Sequence, residues 1–160
     1  QTSKFESNHQ QALVNIIYTY SWSCQKIKEV LAPYGITQQQ YNVLRILRGQ
    51  YPSPSTIGLI KNRILDKMSD TSRIVDRLIQ KGYLEKTVNN RDKRAVDIII
   101  SEKALALLKK MDKEVNFSSL VTENINAEEA AQLNLLLDKL RGWFFLMCSA
   151  EKTNQRYTHP

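Results

Sequence analysis

A mainly helical α+β fold is predicted by three observations. Apolar residues recur at three- and four-residue spacing through most of the chain, two β-branched runs interrupt that rhythm at 83–88 and 95–101, and capping or turn residues mark the changes of pattern. At 160 residues, 42% hydrophobic and 24% charged, the chain has the size of one soluble domain with helical extensions.

The first helix is expected from about Gln10 to Ala32, with Leu13, Ile16, Ile17, Tyr20, Cys24, Ile27 and Leu31 on one stripe and Pro33 and Gly35 ending it. A second apolar set, Val14, Tyr18 and Trp22, gives this helix more than one partner surface. Thr37 with Gln40 reads as a capping box that opens a helix reaching about Gly49, buried through Tyr41, Val43, Leu44 and Leu47. Residues 51–55 are a connector. A short helix from about Thr56 to Ile64 follows, then a turn from Leu65 to Met68, then a helix from about Ser69 to Lys81 stopped by Gly82. On this last helix Thr71, Ile74, Val75 and Leu78 face inward, and Asp70, Ser72, Arg73, Asp76 and Arg77 face outward. Two short helices across a tight turn, the second with a polar and basic outer face, form the helix-turn-helix pattern.

The runs 83–88 and 95–101 read as a β-hairpin whose tip, residues 89–94, holds three cations and one carboxylate: a basic wing. Ser101 caps a helix carrying Leu105, Leu107, Leu108, Met111 and Val115, to about Phe117. Asn126 with Glu129 caps a final helix with Leu133, Leu135, Leu136, Leu137, Leu140, Trp143, Phe144, Leu146 and Met147, more apolar surface than one core face takes, so a second chain is expected to bury part of it.

Charge narrows the function. The 23 basic and 16 acidic residues give a net +7, of which +4 lies in residues 53–100, +3 in residues 1–52 and none in residues 101–160. A basic middle and a balanced C-terminal third suit a polyanion on one part and protein on another. His9 and His159 stand near the termini and the two cysteines, Cys24 and Cys148, are far apart, so no metal site, cofactor or disulfide framework is expected. Without a signal-like N-terminus or a bilayer-length apolar run, the expectation is a cytoplasmic chain with no membrane partner. An enzyme is disfavoured, since no nucleophile–base pair, carboxylate pair or phosphate-cradling glycine loop has a supporting context.

This order of elements resembles the MarR family of bacterial winged-helix transcription regulators. The resemblance rests on Ile36-Thr37-Gln38-Gln39-Gln40-Tyr41 with Leu44, on Ser72-Arg73-Ile74-Val75-Asp76-Arg77-Leu78 running to Lys81-Gly82-Tyr83-Leu84-Glu85, on Arg91-Asp92-Lys93-Arg94-Ala95-Val96, and on Ser101-Glu102-Lys103. Three positions depart from the usual pattern: Lys61 in place of a small residue, Leu65 at a turn position often held by glycine, and Thr71 in place of a core valine. The resemblance implies a homodimer with a dimerisation base built from residues 1–35 and 102–160, and a winged helix-turn-helix DNA-binding lobe at residues 36–101. It also implies a pseudopalindromic operator on double-stranded DNA, and a repressor released by a small aromatic or anionic effector. A protein-interaction or assembly subunit of the same fold is the alternative, opposed by Arg73 and Arg77.

Within that frame Arg73 can chelate a guanine edge or hold a phosphate, and Ser69, Asp70 and Ser72 at the helix start can offer hydroxyls and amides to phosphates or base edges, with Asp70 better suited to capping than to meeting phosphate. Arg94 has the reach for a minor groove, with Asp92 to orient it, while Lys67, Arg77, Arg91 and Lys93 suit phosphates. An effector pocket is assigned to Tyr20, Trp22, Tyr41 and Arg45. Cys24 and Cys148 are expected to be buried and inert, with Lys26 and Lys28 off the face of Cys24.

Overall fold

A computed structural model of the chain describes residues 5–88 and 96–142. Helix α1 runs Asn8–Leu31 from the Ser7 cap and passes into a 3-10 turn, Ala32–Tyr34, closed by left-handed Gly35. Helix α2, Gln38–Arg48, opens on the expected capping box: the Thr37 hydroxyl accepts from the Gln40 amide at 3.2 Å and the Gln40 side chain accepts from the Thr37 amide at 3.2 Å. Strand β1, Ser55–Thr56, precedes α3, Ile57–Arg63; α4 is Thr71–Gln80, β2 Leu84–Val88, β3 Val96–Ile100 and α5 Glu102–Glu114. The chain divides into two compact units, residues 1–116 and 117–160. The second holds α6, Ser119–Thr122, and α7, Ala127–Leu140, which opens on the Asn126–Glu129 capping box.

Helix α2 is the centre of the first unit, in contact with α1, α3, α4, α5 and β3. Val43, Leu44 and Leu47 on α2 are sealed from water, as are Ile60 on α3 and Ile64 at its C-cap, Val75 and Leu78 on α4, Ile98 on β3, and Leu108 and Met111 on α5. The three strands form an antiparallel sheet in the order β1-β3-β2, with Leu84 opposite Ile100 and Lys86 opposite Ile98. Alternate residues Ile98 and Ile100 of β3 point into the core, the period of a sheet with one wet face. Helix α4 stops where Gly82 takes φ +71: its amide donates to the Ile79 carbonyl at 2.8 Å and the Tyr83 amide to Leu78 at 2.9 Å, the paired bonds of a Schellman ending.

Several details differ from the sequence expectation. The connector at 51–55 ends in β1, a strand of two residues, too short to leave a periodic signal. Helix α5 stops at Glu114 because Val115 is extended (φ −115, ψ 119), and α6 is an additional single turn. The stripe on α1 is covered only at its C-terminal end: Leu31 is buried, whereas Leu13 and Ile17 are 59% and 60% exposed. Cys24 is half-buried rather than buried.

Thr71 occupies a core position on α4, 4% exposed, and its hydroxyl has no hydrogen-bond partner among the described residues. A buried donor without a partner is destabilising, and valine has the same shape without the hydroxyl. Thr71→Val is therefore expected to raise stability by about 1 kcal/mol, read as a higher denaturant midpoint at unchanged slope. A lower midpoint would mean that the hydroxyl is satisfied in solution.

Candidate nucleic-acid interface and adjoining cavity

The outward face of α4 is built by its own periodicity. Thr71, Val75 and Leu78 take the core side and leave Ser72, Arg73, Asp76 and Arg77 exposed. The Asp70 carboxylate accepts from the Arg73 amide at 3.1 Å, so it caps α4, the role its position suggested. Asp76 is paired with Lys86 of β2 at 2.7 Å, while Arg73 and Arg77 have no ion-pair partner among the described residues. A shallow cleft of about 260 Å³ separates this face from the start of α2, with Thr37, Gln39, Ser69, Asp70, Arg73 and Arg77 on its walls. The Ser69 hydroxyl is spent on Asp66, to which it donates at 2.7 Å, and the Lys67 ammonium donates to the Asn62 carbonyl at the end of α3 at 2.6 Å. Arg91, Asp92, Lys93 and Arg94 lie outside the described residues, as does Cys148.

The turn from Ile64 to Asp70, which sets the start of α4, is tied by side chains. The Leu65 amide donates to Asn42 Oδ1 at 2.9 Å, the Met68 amide to Asp66 Oδ1 at 3.1 Å, and the Ser69 amide to the Asp66 carbonyl at 3.1 Å. The bond from the Ser69 hydroxyl, then that from the Met68 amide, holds the Asp66 carboxyl below its ordinary value, with Gln39 adding a further donor. A lowered folded-state value means that this contribution is complete at neutral pH and is lost only as pH falls through it.

Behind the same turn lies a cavity of about 490 Å³, mostly apolar, walled by Tyr20, Cys24 and Lys28 of α1, Gln39 and Asn42 of α2, and Ile64, Leu65 and Asp66. Of the four pocket residues expected from sequence, Tyr20 lies on this wall. Trp22 is elsewhere on α1 and 38% exposed, and Tyr41 and Arg45 turn to each other, Arg45 Nη1 donating to the Tyr41 hydroxyl at 2.9 Å. Helix geometry separates them, since Trp22 is two residues from Tyr20 and Tyr41 one residue from Asn42, both off the lining face. Cys24 and Lys28, four residues apart, line the cavity together, correcting the expectation that Lys28 is off the Cys24 face. The Tyr20 phenol is held above its ordinary value, first by the neighbouring Cys24 side chain, then by partial burial and by the Asp66 carboxylate. Asn42, Asp66 and Gln39 were missed by sequence reasoning, and only the fold brings them together. No described group of His, Cys, Asp and Glu could hold a metal ion, and no described helix is long and apolar enough to cross a membrane.

This geometry has relatives. Residues 36–96 match the sequence model of the MarR family. Over 116 residues the chain is 29% identical to the multiple antibiotic resistance protein MarR of Escherichia coli K12, covering 71% of this chain and 79% of that protein. In both sequence and fold the chain is similar to the MarR family. The proteins of that family are transcription regulators, not enzymes. A cysteine-to-serine mutant of E. coli MarR complexed with operator DNA superposes with a TM-score of 0.73 at 26% identity, covering 86% of this chain and 99% of that one. A MarR-like regulator from Bacillus cereus reaches 0.74 at 19% identity over 84% of this chain and 96% of its own, a likeness of fold alone.

Proposed function

We propose that this chain is a MarR-family regulator, a sequence-specific, double-stranded-DNA-binding repressor that grips a pseudopalindromic operator as a homodimer and is released by a small aromatic or anionic effector. The observation that carries the reading is the outer face of α4, where Arg73 and Arg77 stand exposed beside a cleft and free of carboxylate partners among the described residues. Unpaired guanidiniums on a helix face supply both base readout and phosphate contact. The operator complex of the E. coli relative supports the same assignment. Arg73 and Ser72 take base edges in this reading, with Ser69 and Asp70 framing the helix start. Lys67 and Arg77 take phosphates, as do Arg91 and Lys93 on sequence grounds, and Arg94 with Asp92 takes the minor groove. The apolar residues left exposed on α1 and α7, among them Ile17, Tyr18, Leu136 and Leu140, support a dimerisation base formed by residues 1–35 and 102–160, flanking the lobe at 36–101.

Selection of bound sites from random duplexes by the full chain is expected to enrich a two-fold symmetric sequence. Recovery of unselected sequence after several rounds would exclude the reading. The effector site is assigned to the cavity at Tyr20, where the Lys28 ammonium supplies a counter-charge. Aromatic carboxylates are expected to release the selected duplex. Lys28→Ala is expected to raise the concentration needed on the order of tenfold, the worth of one charge-assisted hydrogen bond. Unchanged release by that variant would move the effector elsewhere.

A further inference from the structure

Met68 is 94% exposed, the most exposed of the large hydrophobic side chains described. It is not on a loose loop. The amides of Leu65, Met68 and Ser69 and the Ser69 hydroxyl are all bonded, to Asn42 or to Asp66, so the backbone on both sides of Met68 is fixed while its thioether is held in water. Those hydrogen bonds present two apolar side chains, Leu65 at 79% exposed and Met68; of the two, Met68 is the nearer in sequence to α4, two residues before its cap, on the approach to the Arg73 face.

We infer that Met68 is a further specificity-determining residue, reading the 5-methyl group of a thymine at the edge of the major groove. The inference rests on the DNA-binding reading above and deepens it. The flanking charges commit the occupant: Lys67 adjoins Met68 in sequence, and Arg73 and Arg77 follow on α4 without ion-pair partners among the described residues, a setting matched to a polyanion. Within a duplex, the apolar group offered to a side chain in the major groove is the thymine methyl. A thioether on three rotatable bonds is polarizable and adapts its shape to such a contact.

The test uses the full chain and the duplex recovered by selection, with each thymidine in turn replaced by deoxyuridine, which removes the methyl group and nothing else. For the unmodified chain, one replacement per half-site is expected to weaken binding about fourfold, the worth of one buried methyl. Met68→Ala is expected to lose a similar factor on the natural duplex and to be indifferent to that replacement, while Met68→Leu keeps the methyl sensitivity. Equal thermal melting of the three proteins checks that the exposed site has not altered folding. Identical deoxyuridine profiles for the unmodified chain and Met68→Ala would overturn the inference and leave DNA binding intact. Absence of selective duplex binding by the unmodified chain would remove both.

Discussion

Arg73→Ala is expected to reduce affinity for the selected operator by about 1–3 kcal/mol and to leave binding to random duplex nearly unchanged. The expectation follows from position and from freedom. Arg73 lies one turn inside α4, its side chain is exposed, and no described carboxylate competes for its guanidinium. Its amide is already used by the Asp70 cap, so truncation at Cβ leaves the helix start intact. Arg77→Ala provides the contrast: removing a phosphate-binding cation should weaken both duplexes alike and lower the salt slope by about one unit per phosphate neutralised. Titrations at several salt concentrations on both duplexes separate the two outcomes, and parallel losses for both variants would withdraw the base-reading role of Arg73.

The second large effect concerns assembly. Ile17 on α1 is 60% exposed and Leu136 on α7 is 65% exposed, so a charge at either position need not disturb a core. If these faces are buried by a second copy, Ile17→Asp with Leu136→Asp places carboxylates in a desolvated interface, which costs several kcal/mol. Sedimentation of the double variant should then show monomers at concentrations where the unmodified chain is dimeric. Operator affinity should fall at least a hundredfold, because two linked half-site contacts become one. Far-UV circular dichroism should be unaltered. A variant that still sediments as a dimer would place the interface on other residues.

Most of the fold was legible because it is written locally. The Thr37–Gln40 and Asn126–Glu129 boxes, the Ser101 cap and the Gly82 stop all act within five residues of chain, and the inward stripe of α4 is one helical period. What escaped was non-local or too short. Strand β1 exists because β3 offers it a partner, and nothing in two residues announces that. The cavity depends on Asn42 and Asp66, 24 positions apart, meeting through the α3–α4 turn. Aromatic residue type pointed to Trp22 and Tyr41, whereas helix faces decide what lines this cavity, and of those expected residues Tyr20 does. The pairing of Cys24 with Lys28 was present in the sequence as a four-residue spacing and was misjudged. The exposure of Met68 had no local sign, since a methionine before a helix cap is as readily buried.

Asn42 and Asp66 serve two structures at once, as wall of the cavity and as anchors of the turn that leads into α4. A molecule that takes either side chain away from the turn binds the untied arrangement better, and the difference is a coupling free energy shared by both sites. Such coupling is symmetric. A duplex that requires the tied turn would weaken the cavity's hold on that molecule by the same factor by which the molecule weakens the duplex, so the apparent affinity for a small ligand should depend on how much operator is present.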